Sequence, residues 1–206
     1  MAPKKSPKTK SVEKAPKKIS KSKMAAKEAD KSWLQKPTIQ RIVKHHSSGK
    51  ARLSAQGASA IQQHGERLLG KLGKELAAFL EASGKQTVSH KFVLHAGESL
   101  GIAFKPVETA TKDVVVHKTY ESGLKVKDID HHSFMARATF LRGVRAHLPS
   151  GARVGDLGLN SLRALAEHCL SDLIAKAVMF TMQSKRSTVT SSDVACAMKV
   201  ICHRGF

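Results

Sequence analysis

The sequence predicts an all-α protein made of two tandem short–long–short helix units, paired within one chain and preceded by a disordered basic tail. Three observations predict it. Residues 38–97 slide onto 139–198 without a gap, at an offset of 101, and 16 of the 60 positions are identical. Unrelated segments share about one position in fifteen. Each copy carries one long stretch of helical apolar spacing between two short ones. Finally, residues 1–31 hold eleven Lys against Glu13, Glu28 and Asp30, with hardly any large apolar side chain. Two copies make a doublet, because a solenoid needs at least three.

Taken in chain order, residues 1–35 read as the tail, a Lys-, Pro- and Ser-rich run that cannot build a core. Such a run suits a nuclear address or a nucleic-acid tether. Residues 36–102 form the first unit, with helices expected over 37–46, 54–82 and 90–102. Gly65, Gly70 and Gly73 fall inside its long helix, at about 1 kcal/mol each relative to Ala. Residues 103–130 connect the units, and 131–206 form the second. Its first helix is expected in "SFMARATFLRGVRAHL" on the spacing of Phe134, Met135, Ala138, Leu141, Val144 and Leu148, ended by Pro149 and Gly151. The long helix spans 156–183, with Leu159, Leu162, Ala166, Cys169, Leu170, Leu173, Ala177 and Phe180 as its apolar stripe. A short helix over 191–201 follows. A rod of roughly 40 Å beside two short helices cannot cover its own stripe. One unit alone should therefore be unstable, and the second copy supplies the missing cover.

Charge narrows the function. The chain carries a formal +20, of which the first 31 residues hold +8 and the remainder +12. A folded region that basic points to a polyanion, most often nucleic acid. An aromatic content of 4% argues against single-strand binding on stacked aromatic platforms. Cys169, Cys196 and Cys202 make neither a disulfide framework nor a C-x-x-C metal spacing, which fits a reduced intracellular setting. No run of 18 apolar residues offers a membrane span, and the N-terminus lacks the apolar segment of a signal peptide. His45-His46 and His131-His132 lie beside basic residues, without a carboxylate or Cys at ligand spacing. No catalytic residue, metal site or cofactor is expected.

The loops carry the functional content. In both copies an Arg (Arg52, Arg153) precedes the long helix, and a Thr (Thr87, Thr188) follows it 35 residues later. Within one copy these positions sit at opposite ends of the rod. If the two rods cross antiparallel, Arg52 meets Thr188 and Arg153 meets Thr87. Each end then presents an Arg braced by a Thr hydroxyl. Lys50, Lys85, Lys185 and Arg186 back the paired loops, with Arg41 and Arg142 on the preceding helices. Loop amides and helix N-termini add donors for phosphate. An Arg held this way suits an inward-facing minor groove, which needs no base code.

This arrangement resembles the histone fold and its handshake pair. The second copy is similar to the H-four type core histone in Arg153, Leu157, Arg163, Leu170, Ile174, Ala177-Val178 and Thr181. The likeness continues through Lys185-Arg186, Thr188-Val189-Thr190, Asp193-Val194, Ala197 and Lys199. Arg186 and Asp193 match the family's loop-to-helix ion pair. The first copy resembles the H-three type through Arg52, Ala60, Gln62, Glu66 and Leu69, and departs from it with Lys85 and Phe92 where the ion pair stands. Fused pairs of this kind resemble the histone doublets of large DNA viruses and, more distantly, archaeal ones. The resemblance implies wrapping of double-stranded DNA without sequence preference. It also implies partnership with a second copy and with another histone pair of the H-two-A and H-two-B type. The implied location is the virion and host nucleus or viral factory, or otherwise the chromosome. The alternatives are a histone-fold subunit of a transcription or chromatin complex, an archaeal-type architectural protein, and a basic RNA-binding protein.

Overall fold

A computed structural model of the chain describes residues 32–102 and 134–202, together with two short strands at 107–108 and 115–116. The expectations for residues 1–31 and for the rest of the connector lie outside the described residues. Among the described residues the first unit contains α1 (Lys36–His46), β1 (Arg52–Leu53), α2 (Ala55–Ser83), β2 (Thr87–Val88) and α3 (His90–Ser99). An antiparallel pair follows, β3 (Val107–Glu108) with β4 (Val115–Val116), in which Val107 faces Val116. The second unit contains α4 (Arg137–Arg145), β5 (Arg153–Val154), α5 (Asp156–Gln183), β6 (Thr188–Val189) and α6 (Ser191–Cys202).

Local signals set most of these boundaries. Pro37 opens α1, where a missing N–H costs nothing. The Ser54 hydroxyl caps α2 by accepting from the Gly57 amide at 2.9 Å. Gly84, at φ 63, ends it in the left-handed conformation. Helix α3 stops at Ser99, three residues short of the expected end. There the Gly101 amide turns back to the Glu98 carbonyl at 2.9 Å and the Ile102 amide to the Gly97 carbonyl at 2.9 Å.

The units are interleaved, each short helix leaning on the other unit's long one. Helices α1 and α3 pack against α5, while α4 and α6 pack against α2, and α2 crosses α5. One continuous core results, including Ile61, Leu69, Leu72 and Leu76 from α2 and Leu162, Leu165, Leu170 and Leu173 from α5. Fully burying one such side chain contributes about 1.5–3 kcal/mol, so the crossing carries much of the stability. The first half of α5 departs from the expected amphipathic stripe. Every residue from Gly158 to Glu167 is buried, polar ones included, because α5 is contacted by α3, α4, α6, α1 and strand β4.

Two expectations about boundaries need correction. The tail expected over residues 1–35 ends sooner, since Trp33 and Leu34 are core residues. The Trp33 ring meets Phe140 edge-on at 5.2 Å, and the Leu34 carbonyl accepts from the Gln62 side-chain amide at 2.8 Å. The folded body therefore starts by Ser32. The first helix of the second unit is shorter than expected and differently phased. Phe134 and Met135 precede it, Ala138 is exposed, and Phe140 with Val144 forms its buried face. Tertiary contact holds the entry instead, with the Met135 amide donating to the Glu167 carboxylate at 2.9 Å.

Pseudosymmetry shows in how the first helices end. His46 reaches α5, its Nε2 lying 2.6 Å from the Ser171 hydroxyl. Burial, and then neighbouring His45, holds that imidazole below the usual histidine range, against a weaker opposite pull from Asp172. Its counterpart His147 lies against α2 at Gly70 and Gly73. Gly73 thus makes room for close passage, and Gly70 does not need to. A Cβ at position 73 would sit 2.6 Å from the His147 Cβ and 2.7 Å from its carbonyl oxygen, whereas one at position 70 would meet only ring atoms at 3.7 Å. Gly73→Ala should therefore lower stability by about 1–3 kcal/mol through overpacking. Gly70→Ala should raise it by up to about 1 kcal/mol through helix propensity. Urea unfolding of the two variants beside the parent chain checks the opposite signs.

Candidate functional site

Two parallel ladders, one at each end of the crossed rods, form the site. Strand β1 pairs with β6, aligning Arg52 with Thr188 and Leu53 with Val189. Strand β2 pairs with β5, aligning Thr87 with Arg153 and Val88 with Val154. The Arg52 amide donates to the Ser187 carbonyl at 2.7 Å and the Ser54 amide to the Val189 carbonyl at 3.0 Å. At the other end the Arg153 amide donates to the Gln86 carbonyl at 2.7 Å and the Gly155 amide to the Val88 carbonyl at 3.2 Å. Val88 and Val189 turn inward and are fully buried, while Arg52 and Arg153 are exposed. In each ladder one strand thus anchors on its valine, while the facing strand turns its arginine outward and leans on half-buried Leu53 or Val154.

The long helices start against these ladders. A Cβ on Gly57 would lie 2.8 Å from the Val189 carbonyl oxygen, and one on Gly158 would lie 2.4 Å from that of Val88. Only glycine lets the first helical turn pass so near the facing strand. Both positions, identical in the repeat, serve the same crossing at opposite ends.

The expected alignment of Arg with Thr is present, but the hydroxyl brace is not. Among the described residues no hydrogen bond joins the Thr188 hydroxyl to the Arg52 guanidinium, or Thr87 to Arg153. The backbone ladder fixes the pairing, and both guanidinium groups stay open to a ligand. Lys50, Lys85, Lys185 and Arg186 lie exposed on the same loops. Arg41 and Arg142 are also exposed, on α1 and α4, outside either ladder.

Each β-to-α turn is locked differently. After β6, Arg186 donates to the buried Asp193 carboxylate at 2.5 Å. The other carboxylate oxygen of Asp193 accepts from the Thr190 amide and hydroxyl, both at 2.9 Å, capping the start of α6. Burial opposes the charge on Asp193. The Thr190 bonds, and then Arg186, outweigh burial and hold the carboxyl below its usual range. After β2 the same two places hold Lys85 and Phe92. The Lys85 ammonium lies 5.7 Å from the centroid of the Phe92 ring, which stacks on Phe79 at 6.3 Å. A cation–π contact therefore replaces the ion pair, worth about 0.5–1 kcal/mol at an exposed site.

Other chemistry is sparse. His45 packs its ring on Phe134 at 5.6 Å, and the expectations for His131 and His132 lie outside the described residues. Among the described residues no group of three or more His, Cys, Asp or Glu is arranged to hold a metal ion. No helix there is long and apolar enough to cross a membrane. Burial, then Asp172, pushes the Cys169 thiol up to about 12. Sequence reasoning missed Trp33, whose signal was a lone tryptophan beside the lysine run, and the Lys85–Phe92 contact.

The sequence matches no family model, and no curated protein matches it. Among solved structures, the crystal structure of the histone from Methanopyrus kandleri superposes with a TM-score of 0.55 at 21% identity. The match covers 80% of this chain and 92% of that one. That extent exceeds either helical unit, so the likeness spans both. The fold is the histone fold.

Because Asp193 has a depressed folded pKa, its stabilisation is complete above the ordinary carboxylate range and is lost as pH falls through the folded value. Asp193→Asn should cost about 1–3 kcal/mol at neutral pH, a deficit that shrinks in acid. Phe92→Ala should cost stability by an amount that does not change over the same pH range, because its contact has no carboxyl to titrate. Urea unfolding of both variants at several pH values distinguishes the two locks.

Proposed function

We propose that this chain is a histone doublet that binds double-stranded DNA and wraps it without sequence preference. One observation carries the reading. The two ladders set exposed Arg52 and Arg153 in matched backbone frames at opposite ends of rods roughly 40 Å long. Two fixed cations presented that way fit a duplex bent across the pair, each entering a minor groove where it faces inward. The net charge of +20 supplies the phosphate attraction that makes such binding general. In this reading Lys50, Lys85, Lys185 and Arg186 neutralise phosphates beside each entry point, with Arg41 and Arg142 along the path.

The finer assignments belong to the same proposal. The Arg186–Asp193 lock supports an H-four-like second unit, and Gln62 and Glu66 support an H-three-like first unit. Association with another histone pair is favoured by Met179, Met182 and Val200, which are 45%, 44% and 40% exposed on α5 and α6. Genome packaging in a virion or nucleus is the role such a doublet would serve. No catalytic step belongs to this reading.

Arg52→Ala or Arg153→Ala should each weaken DNA wrapping by on the order of 1–3 kcal/mol. A single Lys→Ala change within residues 1–31 should cost little. Nuclease protection and salt-dependent binding, measured side by side, check this. Equal losses from all three variants would mean that charge alone binds the duplex, and the absence of any protected fragment would remove wrapping.

A further inference from the structure

The two ladders share a backbone but differ in charge. At the repeat offset the loop positions correspond as Lys50 with Gly151, Arg52 with Arg153, Gly84 with Lys185 and Lys85 with Arg186. Because the units exchange loops, the β1–β6 end collects Lys50, Arg52, Lys185 and Arg186. The β2–β5 end has only Arg153 and Lys85 at those positions. All six side chains are exposed. Each end also holds one acid paired with one arginine, and after β5 these are exposed Asp156 and Arg137. The acid at the richer end, Asp193, is buried under Arg186.

Backbone geometry sharpens the contrast. Lys185 has φ 54, in the left-handed region that its counterpart Gly84 occupies at φ 63. That conformation suits glycine and strains most other residues, so a lysine stands where the backbone favours glycine. Strain of this sort gathers at functional positions. Lys85, in turn, is drawn toward the Phe92 ring, whereas Lys50, Arg52 and Lys185 have no ion pair among the described residues.

Resting on the DNA reading, we infer that the ends hold a duplex unequally. The β1–β6 end is the anchor, and the β2–β5 end releases first as salt rises. With Arg186 engaged by Asp193, three unpaired cations stand against two, which means one more phosphate neutralised at the anchor. The local salt dependence should then be steeper there by about 0.9 in log–log slope, at about 0.9 per phosphate.

The test uses the full chain with a random-sequence duplex and an amine-acetylating reagent. Mass spectrometry reads the protection that DNA adds at Lys50, Lys185 and Lys85 across a salt series. Lys50 and Lys185 should stay protected at salt concentrations that expose Lys85. The variant Gly84→Lys, which gives the poorer end the cation its counterpart has, should move the Lys85 release point up toward that of Lys50. Release of all three lysines at one salt concentration would overturn the inference while leaving DNA binding intact. Absence of protection at low salt would overturn both.

Discussion

A helix of 28 or 29 residues beside two short ones leaves an apolar face that its own unit cannot cover, and the crossing of α2 over α5 resolves this. Burial of that face fixes the relative placement of everything else. Once the rods cross, each short helix packs on the other unit's rod as well as on its own, which is where α1, α3, α4 and α6 lie. The loops follow as a geometric consequence. An antiparallel crossing brings the first loop of one unit beside the second loop of the other, and two adjacent extended segments pair because buried amides need partners.

The ladders are small, but they convert packing into surface chemistry. Each ladder sends a valine of one strand into the core and an arginine of the facing strand outward. The glycines at 57 and 158 are the complementary requirement, because any side chain there would strike the facing strand's carbonyl oxygen. The outward arginines are therefore rigid at the backbone and free at the side chain. Rigid backbone placement limits what must be ordered on binding.

The repeat made most of this legible from residues alone, since an ungapped offset fixes which loops can meet once the rods are taken to cross. The crossing followed from a stripe too long for its unit to bury. What stayed hidden depended on partners distant in sequence. Trp33 and Leu34 follow a lysine-rich run, and nothing local marks them as core; their partners Phe140 and Gln62 come from both units. Phe134 and Met135 kept helical spacing without being helical, because a contact from the Met135 amide to Glu167 sets their backbone instead. The threonine hydroxyl looked like a brace because the register put it there, but backbone pairing already satisfied the need for alignment. Lys85 and Phe92 read as a missing ion pair, and only side-chain geometry shows the ring taking the carboxylate's place.

Fusion of the units bears on that last difference. In a dimer of identical chains the two ladders are related by symmetry, so any residue at one end appears at the other. Joining the copies in one chain removes the constraint. Each end is then encoded once, by the first loop of one copy and the second loop of the other, and the ends are free to diverge while the core continues to require the crossing. At the ladders that divergence includes exposed positions of the loops. Buried Val88 and Val189 and close-packed Gly57 and Gly158 are the same in both copies, while Lys50 faces Gly151 in the repeat and Gly84 faces Lys185. At the ladders the valines and glycines that hold the units together have stayed alike, and two of the exposed loop cations have not. Joined copies can therefore share one crossing and still present unequal charge at its two ends.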